Sequence, residues 1–261
     1  MNLDLDGKRA LVLASSSGLG LAVATELGRE GATVCLNSRS DERAQAAATT
    51  VRNATGVETF GLAGDVSDAA DGPTLVSRAA ELMGGLDILV CNAGGPPPGN
   101  FAALDDDKWA AAFDLTLMSV VRSIRQAIPL FKENGGSIVV MGSSSVRQPI
   151  PGLLLSNAFR PAVYGVVKHL ASELAGEGIR VNMLSPGRVQ TERIDQLDNA
   201  KAEREGIPVE KVKEQSIAAI PMGRLGEPAE FGRVAAFLAS PAASYITGSS
   251  WLVDGGMVRS L

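Results

Sequence analysis

One histidine, two cysteines and an aromatic fraction of 4% leave this chain poor in the side chains that hold metals or staple small folds. With His169 alone and no Cys/His cluster, the sequence predicts no metal site. Cys35 and Cys91 each sit inside an apolar run, so they read as reduced core thiols of a cytoplasmic protein, not as a disulfide framework. Basic charge is also short. The 24 Lys and Arg face 29 Asp and Glu, and the net charge of −5 offers nothing to nucleic acid. No apolar run reaches the roughly 18 residues a membrane span needs. The opening MNLDLDGKRALVL lacks the basic region of a secretory signal. Neither a nucleic-acid nor a membrane partner is therefore expected. What is there is an ordinary globular balance, 45% hydrophobic and 20% charged over 261 residues, with 29 glycines to serve tight turns. That suits one large domain.

Short apolar runs alternate with helix-period stretches along the whole chain. Strands are expected at 10–14, 33–36, 58–63, 86–91, 137–141, 180–184 and 250–253. Helices are expected at 19–30, 42–53, up to 83, 105–115, 117–134, 157–176 and 227–239. In the long helix at 117–134, Leu117, Val120, Val121, Ile124, Ile128 and Phe131 fall on one face. Fully apolar strands alternating with helices predict an α/β fold, a parallel sheet covered on both faces. The chain reads as a single domain over 1–261. Only the polar segment 192–218 interrupts the alternation. It is expected to be a helical lid over the carboxyl edge of the sheet, where ligands of open α/β folds bind.

The turn after the first strand reads Ala14-Ser15-Ser16-Ser17-Gly18-Leu19-Gly20 and leads into an apolar helix. Backbone N–H groups at such a helix start bind pyrophosphate, and glycines let it approach. The motif is expected to use Ala14, Ser15, Ser17, Gly18, Leu19 and Gly20. Arg39 follows the second strand in Asn37-Ser38-Arg39, where a carboxylate would select the ribose of NAD. An arginine there suits the 2′-phosphate of NADP, with NAD as the alternative. Asp65-Val66 after the third strand is placed to meet the adenine. Asn92-Ala93-Gly94-Gly95 after the fourth lets a flat ring lie close to the backbone.

In this order, these pieces resemble the short-chain dehydrogenase/reductase superfamily, within it the 3-oxoacyl carrier-protein reductase-like branch. The resemblance also rests on Val181-Asn182, Ser185-Pro186-Gly187 with Thr191, Arg224-Leu225-Gly226-Glu227-Pro228 and Val253-Asp254-Gly255-Gly256. It covers Gly7 to about Met257. It implies a Rossmann fold with a seven-stranded parallel sheet, a nicotinamide dinucleotide held also by Pro186, Gly187 and Thr191, and a homotetramer or dimer. In such assemblies the helices at 117–134 and 157–176 would pack across an interface. One departure is that the family's turn begins Thr-Gly, where this chain has Leu13-Ala14.

The superfamily's active site is Asn, Ser, Tyr and Lys, the last two as Tyr-x-x-x-Lys. Tyr164 and Lys168 match that string, but the register does not. From Ser143 to Ser156 is 13 residues (156 − 143), and from Ser156 to Asn182 is 26 (182 − 156), the family's own spacings from serine to tyrosine and on to the downstream asparagine. Measured from Tyr164 the two intervals become 21 and 18. Helix geometry agrees: Ser156, Arg160, Val163, Val167, Leu170 and Leu174 share a face, and Tyr164 lies about 12 Å further along the axis than Ser156. The aligned catalytic residues are Thr116, Ser143, Ser156 and Arg160, with Arg160 also serving the cofactor ribose. Tyr164 and Lys168 then read as a packing tyrosine and a solvated lysine.

Serine is far less acidic than a phenol, whose ordinary pKa is about 10, and arginine stays charged. A proton relay through Ser143, Ser156 and water is expected, with the guanidinium holding hydroxyls or a carboxylate. Pro161 predicts a late helix start or a kink. The loop Gly94 to Gly99 should wall the substrate site, and Arg147 with Gln148 could meet an anionic tail. The function expected is hydride transfer between NADPH and a small carbonyl or alcohol substrate. The alternatives are a dinucleotide-binding protein without turnover and a non-redox enzyme on the same fold.

Overall fold

A computed structural model describes residues 2–131 and 135–260, with Pro73 described by its backbone alone. The strands are β1 (Arg9–Val12), β2 (Thr33–Ser38), β3 (Thr59–Ala63), β4 (Ile88–Cys91), β5 (Gly136–Met141), β6 (Ile179–Pro186) and β7 (Ser250–Val253). They form a seven-stranded sheet in the order β3-β2-β1-β4-β5-β6-β7. All pairings are parallel. The helices are α1 (Gly18–Arg29), α2 (Asp41–Thr55), α3 (Asp71–Met83), α4 (Asp106–Phe113), α5 (Ser119–Ala127), α6 (Leu154–Glu173), α7 (Glu192–Glu205), α8 (Val209–Ala218) and α9 (Pro228–Ala239).

Side chains alternate across each strand, so every strand feeds two cores. Leu11, Leu89, Ile138, Val140 and Val181 pack with α3, α5 and α6 on one face. Ala10, Val12, Ile88, Val139 and Leu184 pack with α1, α2 and α9 on the other. Leu11, Leu89 and Ile138 are fully buried, each contributing about 1.5–3 kcal/mol of hydrophobic stabilisation. This double burial is why the strands carry no polar alternation. The expected Rossmann fold with helices on both faces is the observed one. The strand order reverses between β1 and β4, which opens a crevice at their carboxyl ends.

The long helix expected over 117–134 is shorter and compound. A π-helical turn, Asp114–Met118, links α4 to α5, and a 3-10 turn, Ile128–Leu130, closes the segment. Pro129 lacks the N–H that an α-helix would need there. Residues 132–134, the end of that expectation, lie outside the described residues. Helix α6 starts earlier than the expected 157, and Pro161 sits inside it rather than delaying it. The segment 192–218 forms the helical pair α7 and α8, so its helical composition was a correct guide. Among the described residues no helix is long and apolar enough to cross a membrane.

Candidate active site

The phosphate-type turn is braced from below. Ala14 adopts a φ of 45°, a left-handed conformation that a Cβ disfavours. Its N–H donates to Asn37 Oδ1 at 3.0 Å, and its carbonyl accepts from Asn92 Nδ2 at 3.0 Å. Ser15 is buried with its groups engaged: its hydroxyl donates to the Val12 carbonyl at 2.7 Å, and its N–H donates to the Asn37 carbonyl at 2.8 Å. It supports the turn instead of offering a ligand group. Ser17 caps α1 without a side-chain hydrogen bond, and the first turn holds no acidic residue. Unneutralised helix-start N–H groups are what an anionic phosphate requires. At Gly20 a Cβ would lie 2.7 Å from the Ala14 carbonyl oxygen, so only glycine lets α1 close onto the turn. Leu19 is half-buried against the α1 face core.

The crevice continues outward from this turn. A Cβ at Gly94 would meet nothing within 4 Å, which leaves the backbone open beside Asn92. Thr191 caps α7, and its Cγ2 would lie 3.8 Å from a Cβ on Gly18, so α7 begins over the turn. Arg39 is exposed at the end of β2. Asp65 accepts from the Ser67 N–H at 2.9 Å and from its hydroxyl at 2.7 Å, and Val66 is buried beside it. Gly187 has a packing reason of its own: a Cβ there would meet Asp254 Cβ at 2.5 Å, at the Pro186-Gly187 turn that leaves β6. These residues fit a dinucleotide through backbone donors, the open backbone at Gly94 and the exposed Arg39.

One strand further along, β5 ends in Met141-Gly142 and turns into three serines. Gly142 is obligatory, because a Cβ would lie 2.4 Å from Ser185 Oγ. Ser143 Oγ accepts from the Ser145 N–H at 3.2 Å. The hydroxyl that meets Ser156 is not that of Ser143 but that of Ser145, with Oγ to Oγ at 3.2 Å. Arg160 stands one helical turn beyond Ser156, and both are 8% exposed. Its Nη1 donates to the Met141 carbonyl at 2.6 Å, while its Nε has no partner. Burial, with the charge of Arg193 adding to it, pushes this guanidinium down to about 10, so it stays charged at neutral pH. Thr116 lies in the π turn that packs on α6, 1% exposed, with its Oγ1 also unpartnered.

The rest of α6 divides as its periodicity requires. Val163 and Val167 are fully buried with Ser156 and Arg160. Tyr164 is half-buried against that core with the Arg147 guanidinium 6.0 Å from its ring centre, and Lys168 is exposed. Arg147 and Gln148 are exposed. His169 is exposed and lies 3.2 Å from Glu173 one turn on. The loop from Gly94 is pinned to the segment before α6 by the Gly99 N–H, which donates to the Gly152 carbonyl at 2.8 Å.

Two residues escaped the sequence reading. Ser145 was one of three adjacent serines, and nothing in their order says which faces the helix. Arg193, in the first turn of α7, donates to the Pro96 carbonyl at 2.8 Å and bridges that helix to the loop. A single arginine in a charged helix carries no signal of that kind.

Comparison with known proteins places the fold in a family. The family described as enoyl-(acyl carrier protein) reductase matches residues 13–258. The rabbit (Oryctolagus cuniculus) protein dehydrogenase/reductase SDR family member 4 is 35% identical, over 97% of this chain and 94% of its own. A 3-oxoacyl-acyl-carrier-protein reductase of Staphylococcus aureus is 32% identical, over 96% of this chain and 98% of its own. The solved structure of L-sorbose reductase from Gluconobacter frateurii, complexed with NADPH and L-sorbose, superimposes with a TM-score of 0.94 at 31% identity, covering 100% of both chains.

Proposed function

Because the chain belongs to the short-chain dehydrogenase/reductase superfamily, we propose that it is an NADP-dependent oxidoreductase whose site is built on Ser143, Ser145, Ser156 and Arg160. The observation that carries this reading is the buried Ser145–Ser156 hydroxyl pair with Arg160 one turn away, at the carboxyl end of β5, two strands from the glycine-rich turn that leaves β1. Ser17 to Gly20, Asp65, Val66, Asn92, Gly94, Pro186, Gly187 and Thr191 would hold the dinucleotide, and Arg39 its 2′-phosphate. NADPH-bound relatives support that choice of cofactor. The bound nicotinamide supplies the hydride chemistry.

The chain's own residues then supply orientation and charge. The hydroxyls of Ser143 and Ser156 would donate to the substrate oxygen; as the carbonyl is reduced, Ser156 would give its proton to that oxygen and take one from Ser145 across their shared hydrogen bond, and water would restore the Ser145 proton. Neither hydroxyl is acidic by itself. The Arg160 charge, poorly screened inside the protein, stabilises oxygen anion in place of the phenol and lysine used elsewhere in the family. Thr116 is placed to hold a relay water at its free hydroxyl. The substrate is a small carbonyl or alcohol compound, the segment 192–218 its lid, and the family resemblance supports a homotetramer acting in the cytoplasm, whose mass light scattering reads directly.

NADPH fluorescence titration followed by turnover on a panel of 3-oxoacyl esters and small ketones tests this. Saturable binding and NADPH oxidation are expected, with Ser156→Ala lowering kcat by about a hundredfold or more, in the range of one proton-transfer group, and Tyr164→Phe changing it little. Binding without turnover on any substrate would favour a dinucleotide-binding role instead. The reverse order of the two variants would move the site to Tyr164.

A further inference from the structure

Among the described residues, the arginines other than Arg160 and Arg193 that are not exposed close onto carboxylates or carbonyl cages. Arg9 pairs with Asp87 at 2.7 Å, Arg122 with Asp114 at 2.8 Å, and Arg188 with the buried Asp198. Arg180 is set among the carbonyls of Leu238, Ala239, Ser240 and Ile246. Arg160 and Arg193 differ. Among the described residues neither is paired with a carboxylate. Arg160 makes one hydrogen bond, to Met141, and leaves its buried Nε unpartnered. Arg193 makes one, to Pro96, and its guanidinium lies over Gly95, where a Cβ would come within 2.7 Å of Nη2.

The two side chains reach the same edge of the sheet from opposite sides. Arg160 comes up from α6 against the last residue of β5, and Arg193 comes down from the lid onto the loop that leaves β4. The two strands are neighbours in register, with Cys91 beside Val140. Two guanidinium groups repel each other. Burying one unpaired is costly, and an anion between them would relieve both penalties.

We propose that Arg160 and Arg193 bind a free carboxylate of the substrate, which makes the substrate an oxo acid or hydroxy acid and not a thioester or sugar. This rests on the oxidoreductase reading above. A carboxylate offers two oxygens to two planar N–H forks. A cofactor phosphate is the other anion in reach of such a site. The phosphate-type turn leaves β1, however, which is two strands from β5, or about 10 Å at sheet spacing. Arg160 sits at the serine end, one turn from Ser156, so the carboxylate lies close to the reacting carbon.

The test is calorimetric titration of the NADP-saturated protein with pyruvate, acetoacetate and phenylpyruvate, each beside its methyl ester. At least one acid is expected to bind about tenfold or more tighter than its ester, the range of one charged hydrogen bond. Arg193→Gln should remove about that factor for the acid, leave the ester where it was and leave NADPH affinity within about twofold; Arg193→Lys should restore part of the loss. Acids binding no better than esters, or an Arg193→Gln protein that still prefers acids, would overturn the proposal. So would a loss of NADPH affinity in Arg193→Gln, which would assign that arginine to the cofactor's phosphates. Failure of the wild-type protein to bind NADPH at all would count against the oxidoreductase reading itself, and is read out before any acid is added.

Discussion

Ala14 holds a φ of 45° in the turn between β1 and α1, a position where the family places glycine. A left-handed alanine costs about 1–2 kcal/mol. Glycine would return part of that through the greater freedom of its unfolded chain, about 0.4–1 kcal/mol. Ala14→Gly is therefore expected to stabilise the protein by about 0.5–1 kcal/mol, read as a higher urea midpoint at unchanged slope. A lower midpoint would mean that the methyl group makes contacts worth more than the strain. The departure from Thr-Gly was visible in the sequence; its conformational cost was not, because the same residue in an extended turn would carry none. Residue-scale chemistry was legible wherever spacing carried it. The intervals to Ser143 and Asn182 single out Ser156 and Arg160, which the structure buries side by side on α6, and Asn182 is fixed in place by its own bonds to Ile246 and Ser249. Ser145 and Arg193 were not legible, since their roles depend on which way a turn and a lid face. The thiols of Cys35 and Cys91 are pushed up to about 12 by burial, which leaves them unreactive core groups.

Helix ends decide how the elements around the site are held. Helix α9 opens with Glu227 and a reciprocal capping box from Glu230, whose carboxylate also takes two bonds from Arg224 at 2.8 and 2.7 Å. That arginine, then the Glu227 N–H, hold the Glu230 carboxyl down at about 2 from an ordinary 4.5. The folded pKa is depressed, so the stabilisation is fully present above the unfolded value and is lost as pH falls through the folded one. Glu230→Gln should lower stability at neutral pH, and the gap to the wild-type protein should close between about pH 4.5 and 2 in acid unfolding curves. A gap that stays constant through that window would mean that the ionised carboxylate is not what stabilises the helix start. Sequence pattern located this helix well and α5 badly. The apolar spacing of Leu117 to Phe131 is that of one helix, but neither the π turn nor the effect of Pro129 alters that spacing. Pro161 does not delay α6: packing of Leu155, Val163 and Val167, each fully buried, holds the helix together across it.

For the molecule as a whole, the alternation of apolar strands and helices determined the sheet, and the sheet determined where a ligand could sit. The reversal of strand order between β1 and β4 brings the glycine-rich turn, Asn92 and the serine cluster to one crevice. The start of α7 reaches that crevice through Thr191 beside Gly18 and Arg193 on Pro96. What remained illegible at this scale is the approach of distant segments. The contact of Arg193 with the loop after β4 spans 97 residues, and no local pattern encodes it. A crystal structure of the protein with NADPH would decide most directly whether hydride chemistry is centred on α6's buried face. The nicotinamide ring is expected beside Ser143, Ser145 and Ser156, and the pyrophosphate at the Gly18 turn. A ring lying beside Tyr164 and Lys168, or a Gly18 turn that remains empty with NADPH in excess, would contradict it.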